Sequence, residues 1–254
     1  MGLKEPGLRG SLRNVSVGID AIPDSAIAHY KLAEEDNGDV TIIDELDNHN
    51  GTNQGTTSVE SDDYVGGRAR NGNGTDEYIE LTGWGDFGST LTGGWAILFT
   101  LETEDRDIIT RVDNSGNQRW DIGTNDNFGS RAGHLRVAIG DDNNDRAAID
   151  TDIAVDDGMR RRIAINAPGT NPSNWEVWVA TNSDPEPSKV GTNVVIDEGI
   201  SSTVDFDRPV PLFARNNSGS IENHINATLD DVIPSNASIS ESDIQRDANR
   251  QPWL

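Results

Sequence analysis

Short runs of alternating or continuous apolar residues recur along almost the whole chain, separated by clusters of Gly, Asn and Asp, and the 3.6-residue period of an amphipathic helix is nearly absent. That pattern restricts the chain to strands and turns. The segments it predicts as strands are 26–32, 77–81, 94–102, 107–112, 118–123, 134–139, 160–166, 175–180, 211–215 and 225–232. Strands at this spacing stack into a sandwich or barrel, and 254 residues suffice for one large all-β domain. In the run from Trp95 to Glu102, the side chains of Trp95, Ile97, Phe99 and Leu101 share one face, because successive residues of a strand point to opposite sides. This strand is expected in the middle of the core. Val177 and Val179 oppose Glu176 and Trp178, which makes Trp178 a candidate exposed aromatic. One helix is expected, from about Glu241 to Asn249, because Ser240 stands three residues before Asp243 in the manner of a capping box. Residues 1–25 are polar and carry scattered Gly, and they are expected to form an extended arm ahead of one domain, 26–254.

Charge narrows the partners. The chain has 44 Asp plus Glu against 20 Lys plus Arg, a formal net charge of −24, which excludes a broad basic face for nucleic acid. The acids are 30 Asp and 14 Glu, and the bases are 17 Arg but only three Lys (Lys4, Lys31 and Lys189), dispersed along the length. A dispersed acidic surface with Lys nearly eliminated suits molar salt, where screening weakens repulsion and carboxylates retain water. A halophile protein is expected. There is no Cys, so disulfides, thiolate metal sites and Cys nucleophiles are excluded together. The longest apolar run, Trp95 to Phe99, is far short of the roughly 20 residues of a membrane-spanning helix, so no membrane insertion is expected. The first 25 residues show no leader pattern, which sets the expectation that the protein does not travel by signal-directed secretion.

Three groups of residues in a set order carry a family resemblance. The segment Ala28-His29-Tyr30-Lys31-Leu32-Ala33-Glu34, followed by Ile43-Asp44 and Asn50-Gly51-Thr52, resembles the opening of laminin G-like domains of the concanavalin A-like lectin/glucanase superfamily. Gly66-Gly67-Arg68-Ala69, Tyr78-Ile79-Glu80-Leu81 and Gly94-Trp95-Ala96-Ile97 are similar to that family's central strands. Ile225 to Val232, containing Asp230-Asp231, with the Ser-capped segment after it, is similar to the closing strand and helix. The resemblance covers about Ala26 to Ile244 and implies an antiparallel two-sheet jelly-roll sandwich. It departs from the family at Arg160-Arg161-Arg162 and at Trp178 to Asn182, where a Trp-His strand and a Tyr-Val-Asp-Gly hairpin are usual.

Such a scaffold hosts lectins, glucanases and structural modules, so function must be read from sites. Trp84, Trp120, Trp178 and Tyr64 are the candidate glycan-stacking residues. Structural Ca2+ is a candidate ligand of Asp141, Asp142 and Asp145, hard oxygen donors grouped in one turn. The family resemblance adds Asp230 and Asp231 as candidate Ca2+ ligands. The nearest match to a glycosidase Glu-x-Asp-x-x-Glu strand is Glu45 to Asn50, where Asn50 replaces the second Glu, so no enzyme activity is expected. Gly83 to Gly88 satisfies Gly-x-Gly-x-x-Gly but leads into a strand, not a phosphate-binding helix. Arg160, Arg161 and Arg162 cannot form one phosphate strip, since Arg161 points opposite its neighbours, and pairing with nearby acids is expected.

The expectation that unites these features is a structural protein on the virion surface of a haloarchaeal virus, a capsid turret or decoration protein or a tail-fibre component. It would be attached to other capsid or tail proteins through the arm, homo-oligomeric, and turned toward a cell-surface glycan. The alternative is a carbohydrate-binding module or adhesin, extracellular or on the cell surface of a haloarchaeon. If the acidity is an adaptation to salt, the unfolding midpoint rises steadily from 0.1 M to molar KCl. A midpoint that is flat or falling contradicts it.

Overall fold

The computed structural model describes residues 22–35, 40–82, 93–114, 117–124, 132–141, 143–200 and 209–252. Its strands are β1 (Thr41–Ile42), β2 (Gly51–Gln54), β3 (Thr57–Glu60), β4 (Arg68–Asn73), β5 (Tyr78–Leu81), β6 (Trp95–Thr103), β7 (Ile108–Asn114), β8 (Asn117–Gly123) and β9 (His134–Gly140). The second half adds β10 (Arg146–Ala154), β11 (Arg161–Ala167), β12 (Glu176–Thr181), β13 (Ser188–Val190), β14 (Thr192–Asp197), β15 (Val210–Leu212), β16 (Ala214–Asn217), β17 (Ser220–Glu222) and β18 (Asn226–Ser235), then helix α1 (Glu241–Asn249). One seven-stranded sheet has the order β13-β12-β11-β6-β18-β4-β3, the other β14-β10-β9-β8-β7-β16-β17, and a four-stranded sheet β1-β2-β5-β15 completes the fold. Among the described residues these strands pair antiparallel, except that β16 runs parallel to β7.

The core lies between the two large sheets. Trp95, Ile97, Phe99 and Leu101 of β6 enter it together, as the alternation predicts, and Ile163, Ile165, Val177 and Val179 extend the same layer. Trp120, Ile122, Val137, Ile139 and Ile149 supply the facing layer. At the centre, the Trp95 ring stands edge-on to Trp120 and Trp175, with centroids 4.8 and 5.6 Å away. The residues of β6 between these, Ala96 and Leu98, face outward into a second, smaller cluster with Ala164, Ile233, Ile239 and Ile244, which α1 covers. Ser240 caps the helix as its sequence predicts: its hydroxyl accepts from the Asp243 amide at 3.2 Å, and the Asp243 carboxylate accepts from the Ser240 amide at 3.1 Å. Ile22 also packs on this cluster, and the Asn236 amide donates to the Ser25 carbonyl at 3.2 Å. Packed structure thus begins ahead of residue 26, while residues 1–21 of the expected arm lie outside the described residues.

Two expected strands differ. Segment 26–32 makes only isolated bridges, Ala26 to Ser235 and Tyr30 to both Asp44 and Val232, and ends at Leu32 with φ +57°. Segment 211–215 is broken at Phe213, whose φ of +69° moves the chain from β5 of the small sheet to β7 of a large one. Space for the Phe213 ring comes from Gly72, where a Cβ would stand 2.9 Å from the ring's Cγ.

The outer face of the second large sheet carries charge although it is buried. Arg111 makes a two-pronged bond to Asp113 at 3.0–3.1 Å, and its other end lies 3.7 Å from Asp121. Arg215 joins Asp113, and Arg136 stands 3.7 Å from Asp150. Burial pushes Asp121 up to about 7, against the pull of Arg111 and Arg136. Arg136 is lowered by burial, an effect that Asp150 and Asp121 oppose.

Gly72→Ala should lower stability by about 1–3 kcal/mol in urea titration, the usual range for an overfilled core. A change within error removes the close approach to Phe213 as a constraint. Because the folded state holds the Asp121 proton above the ordinary carboxylate range, the unfolded chain binds fewer protons between about pH 4 and pH 7. Stability from this group therefore falls as pH rises through that window and is level above it. The Tm of Asp121→Asn relative to wild type should climb between those values and then plateau, and a constant difference contradicts the raised pKa.

Candidate functional site

The segment Leu229-Asp230-Asp231-Val232 forms a bulge in β18. Asp230 pairs with Thr100 and Ile233 with Leu98, so Asp231 and Val232 together oppose the single residue Phe99. Asp231 has φ +54°, and Val232 exchanges backbone hydrogen bonds with Tyr30 at 2.8 and 2.9 Å. The bulge turns two adjacent carboxylates to different surroundings. Asp230 Oδ2 accepts from the Val65 amide at 2.9 Å, and burial together with the neighbouring Asp231 charge raises Asp230 well above the usual carboxylate range. Asp231 Oδ1 receives His29 Nε2 at 2.7 Å, and Oδ2 receives Gln251 Nε2 at 3.0 Å, Arg162 Nη2 at 3.0 Å, and Arg250 Nη2. Burial opposes ionisation of Asp231, but Arg162 and Arg250, with His29, outweigh it and hold the group well below that range. Arg162 also grips Asp247 of α1 at 2.6 and 2.8 Å, and Arg250 bonds the same carboxylate.

Beside this cluster opens a cleft of about 360 Å3. Tyr64, Val65, Leu46 and Pro252 give it apolar walls, Arg250 and His29 part of its lining, and Lys31 and Glu45 its charged side chains. The Lys31 and Glu45 groups are paired at 3.0 Å and remain 38% and 39% exposed. The Tyr64 hydroxyl donates to Glu102 at 3.2 Å, and the Arg160 guanidinium lies 5.1 Å from its ring centroid. Burial, then Glu102, raises the phenol, so Tyr64 stays neutral across the working pH range. Glu45 to Asn50 is a loop, not a strand. It wraps the buried Asp44, whose carboxylate accepts the amides of His29, Leu46, Asn48 and His49 at 2.7–3.0 Å.

Of the residues singled out in the sequence, the structure brings together Tyr64, Asp230 and Asp231. Trp120 is corrected: it is 1% exposed at the centre of the sandwich and has no face for a ligand. Trp178 is half-buried against the smaller cluster, with Nε1 donating to Glu176 at 3.3 Å, and does not line the cleft. Trp84, the Gly-x-Gly-x-x-Gly segment and Asp142 lie outside the described residues. Asp141 is buried and closes its own turn by accepting the Asn143 and Asp145 amides at 2.9 and 3.0 Å. Among the described residues no group of three or more His, Asp or Glu is arranged to hold a metal ion. Asp231 is paired with the guanidinium groups of Arg162 and Arg250. Arg161 pairs with Asp157 at 2.6 Å and Arg160 with Asp63 at 3.5 Å, so the basic cluster is divided among acids. Lys31, Arg250 and Pro252 reach the cleft from opposite ends of the chain, and no local motif marks them.

No protein-family model and no curated protein sequence matches the chain. Solved structures do. The binding domain of Paraclostridial Mosquitocidal Protein 1 matches with a TM-score of 0.61 at 15% identity over 89% of this chain and 52% of that one. The receptor binding domain of botulinum neurotoxin C/D mosaic serotype matches with a TM-score of 0.58 at 10% identity over 90% and 52%. Domain 4 of AbnA, an extracellular GH43 arabinanase from Geobacillus stearothermophilus solved in complex with arabinotriose, matches with a TM-score of 0.55 at 14% identity over 88% and 98%. The match thus spans about half of each toxin domain and nearly all of the arabinanase domain. At these identities the likeness is one of fold, and that fold is the antiparallel β-sandwich of concanavalin A-like lectin domains, closed by one short C-terminal helix.

Proposed function

We propose that this chain is a carbohydrate-binding domain of lectin type, and that it holds saccharide in the cleft beside Tyr64. The observation that carries the reading is the cleft itself. Its volume of about 360 Å3 falls in the usual ~300–1,000 Å3 range of ligand sites, and it joins apolar walls to a few fixed polar groups. The C–H face of a sugar ring suits Tyr64 and Leu46, while Lys31 and Glu45 supply hydrogen bonds at hydroxyl height. The solved structures of the same fold agree in kind: one is a receptor binding domain and another is a domain in complex with arabinotriose. Hydrolysis is a weaker reading, since Glu45 to Asn50 is a loop and Asn50 stands where the second catalytic Glu is needed.

Of the two settings expected from sequence, the extracellular or cell-surface binding module fits the fold more directly. The haloarchaeal virion, with attachment through residues 1–25 and assembly into oligomers, draws on acidity and the arm, and takes second place. A broad glycan array with purified protein should return a defined set of saccharides. Tyr64→Ala should weaken the best of them about tenfold, a loss of about 1.4 kcal/mol, while Trp178→Ala leaves binding unchanged. An empty array, or loss in Trp178→Ala with Tyr64→Ala silent, contradicts the reading or its site.

A further inference from the structure

We infer that the ligand of this cleft carries a carboxylate, in the form of a saccharide with a uronic or other acidic sugar. The inference rests on the carbohydrate reading above and names the class of sugar. It begins with Arg250, whose side chain is 5% exposed and lines the cleft. Its Nε donates to Asp247 at 3.1 Å, and its Nη2 donates to Asp247 at 2.8 Å and to Asp231. Among the described residues Nη1 has no hydrogen-bond partner, which leaves it as the nitrogen to meet a ligand in the cleft. A guanidinium held along two edges loses no further freedom when a ligand meets the third, which makes it a preorganised donor.

The charge behind Arg250 is already balanced. Asp231 and Asp247 face Arg162 and Arg250, two negative groups against two positive. Lys31 presents three N–H donors, of which Glu45 engages one. The cleft lining therefore contains two permanent cations and one carboxylate, in a chain whose formal net charge is −24. Counted with Asp231, Asp247 and Arg162 behind it, the cleft is neutral, whereas the chain as a whole is strongly acidic. A neutral hydroxyl would make only a half-charged bond to Nη1, whereas a carboxylate forms a charge-assisted bond of about twice the strength. Glu45 then works against the ligand and Lys31 for it, while Tyr64 and Leu46 hold the ring.

The test is isothermal titration of the full chain with galacturonate and glucuronate oligosaccharides and with the methyl esters of the same sugars. The acids should bind at least tenfold more tightly than their esters, and the advantage should shrink as KCl is raised. Lys31→Gln should weaken acid binding about three- to tenfold and ester binding by less, so that the preference for acid over ester falls. Glu45→Gln should tighten acid binding several-fold. These two exposed positions carry the test, because Arg250→Gln also strips partners from Asp231 and Asp247. Equal affinity for acid and ester, or silence of both rim variants, overturns the carboxylate inference. If the glycan array yields only neutral saccharides, this inference fails and the carbohydrate reading stands; if it yields none, both fail.

Discussion

A single buried carboxylate, Asp231, joins four parts of the molecule. It sits fully buried on the bulge of β18, with His29 from the N-terminal segment, Arg162 from β11, and Arg250 and Gln251 from the end of α1 around it. Removing such a charge from water costs several kcal/mol, and only a set of well-directed donors offsets that. The left-handed backbone at Asp231 is the local strain that places the carboxylate where all of them reach. Through Arg162 the same cluster ties down Asp247, and with it the helix that covers the outer face of β6. The cleft exists because Arg250, Pro252 and the segment after Ile22 are brought against Tyr64 and Val65 by this attachment.

The two large sheets solve the burial of their outer faces differently. The sheet containing β6 is covered by α1, and its central strand is accordingly apolar on both sides, which is why Trp95 to Phe99 reads as an unbroken apolar run. The other sheet keeps polar alternation, with Trp120 and Ile122 inward and Asp121 outward, and its outer charges pair across strands. Cross-strand pairing of Arg and Asp satisfies a surface that is shielded from water but not apolar. In a protein with many acids and few bases, this arrangement uses Arg111, Arg136 and Arg215 where they neutralise the most buried carboxylates.

What could be read in the sequence follows from range. The helix from Glu241 to Asn249 depends on Ser240 and Asp243, three residues apart, and its limits are legible for that reason. Strand β6 announces itself by length and alternation. Short edge strands such as β3, β13 and β17 have too few apolar residues to show a period, and β10 hides behind Asp150 and its alanines. Trp120 is a candidate ligand platform by residue type, yet alternation with Asp121 along β8 sends it inward. The Asp230-Asp231 pair stands out in the sequence through the family resemblance, but the counter-charges of Asp231 lie on residues 162 and 250, beyond any local motif. Tyr64 was visible in the cleft's wall; the cations of that cleft were not.

Native-state hydrogen exchange on Asp231→Asn tests most directly whether one carboxylate holds the helix and the cleft together. The account predicts that amides of α1 and of residues 29–31 lose protection together, by two orders of magnitude or more, while those of β8 and β9 keep theirs. Unchanged protection of α1 would contradict it.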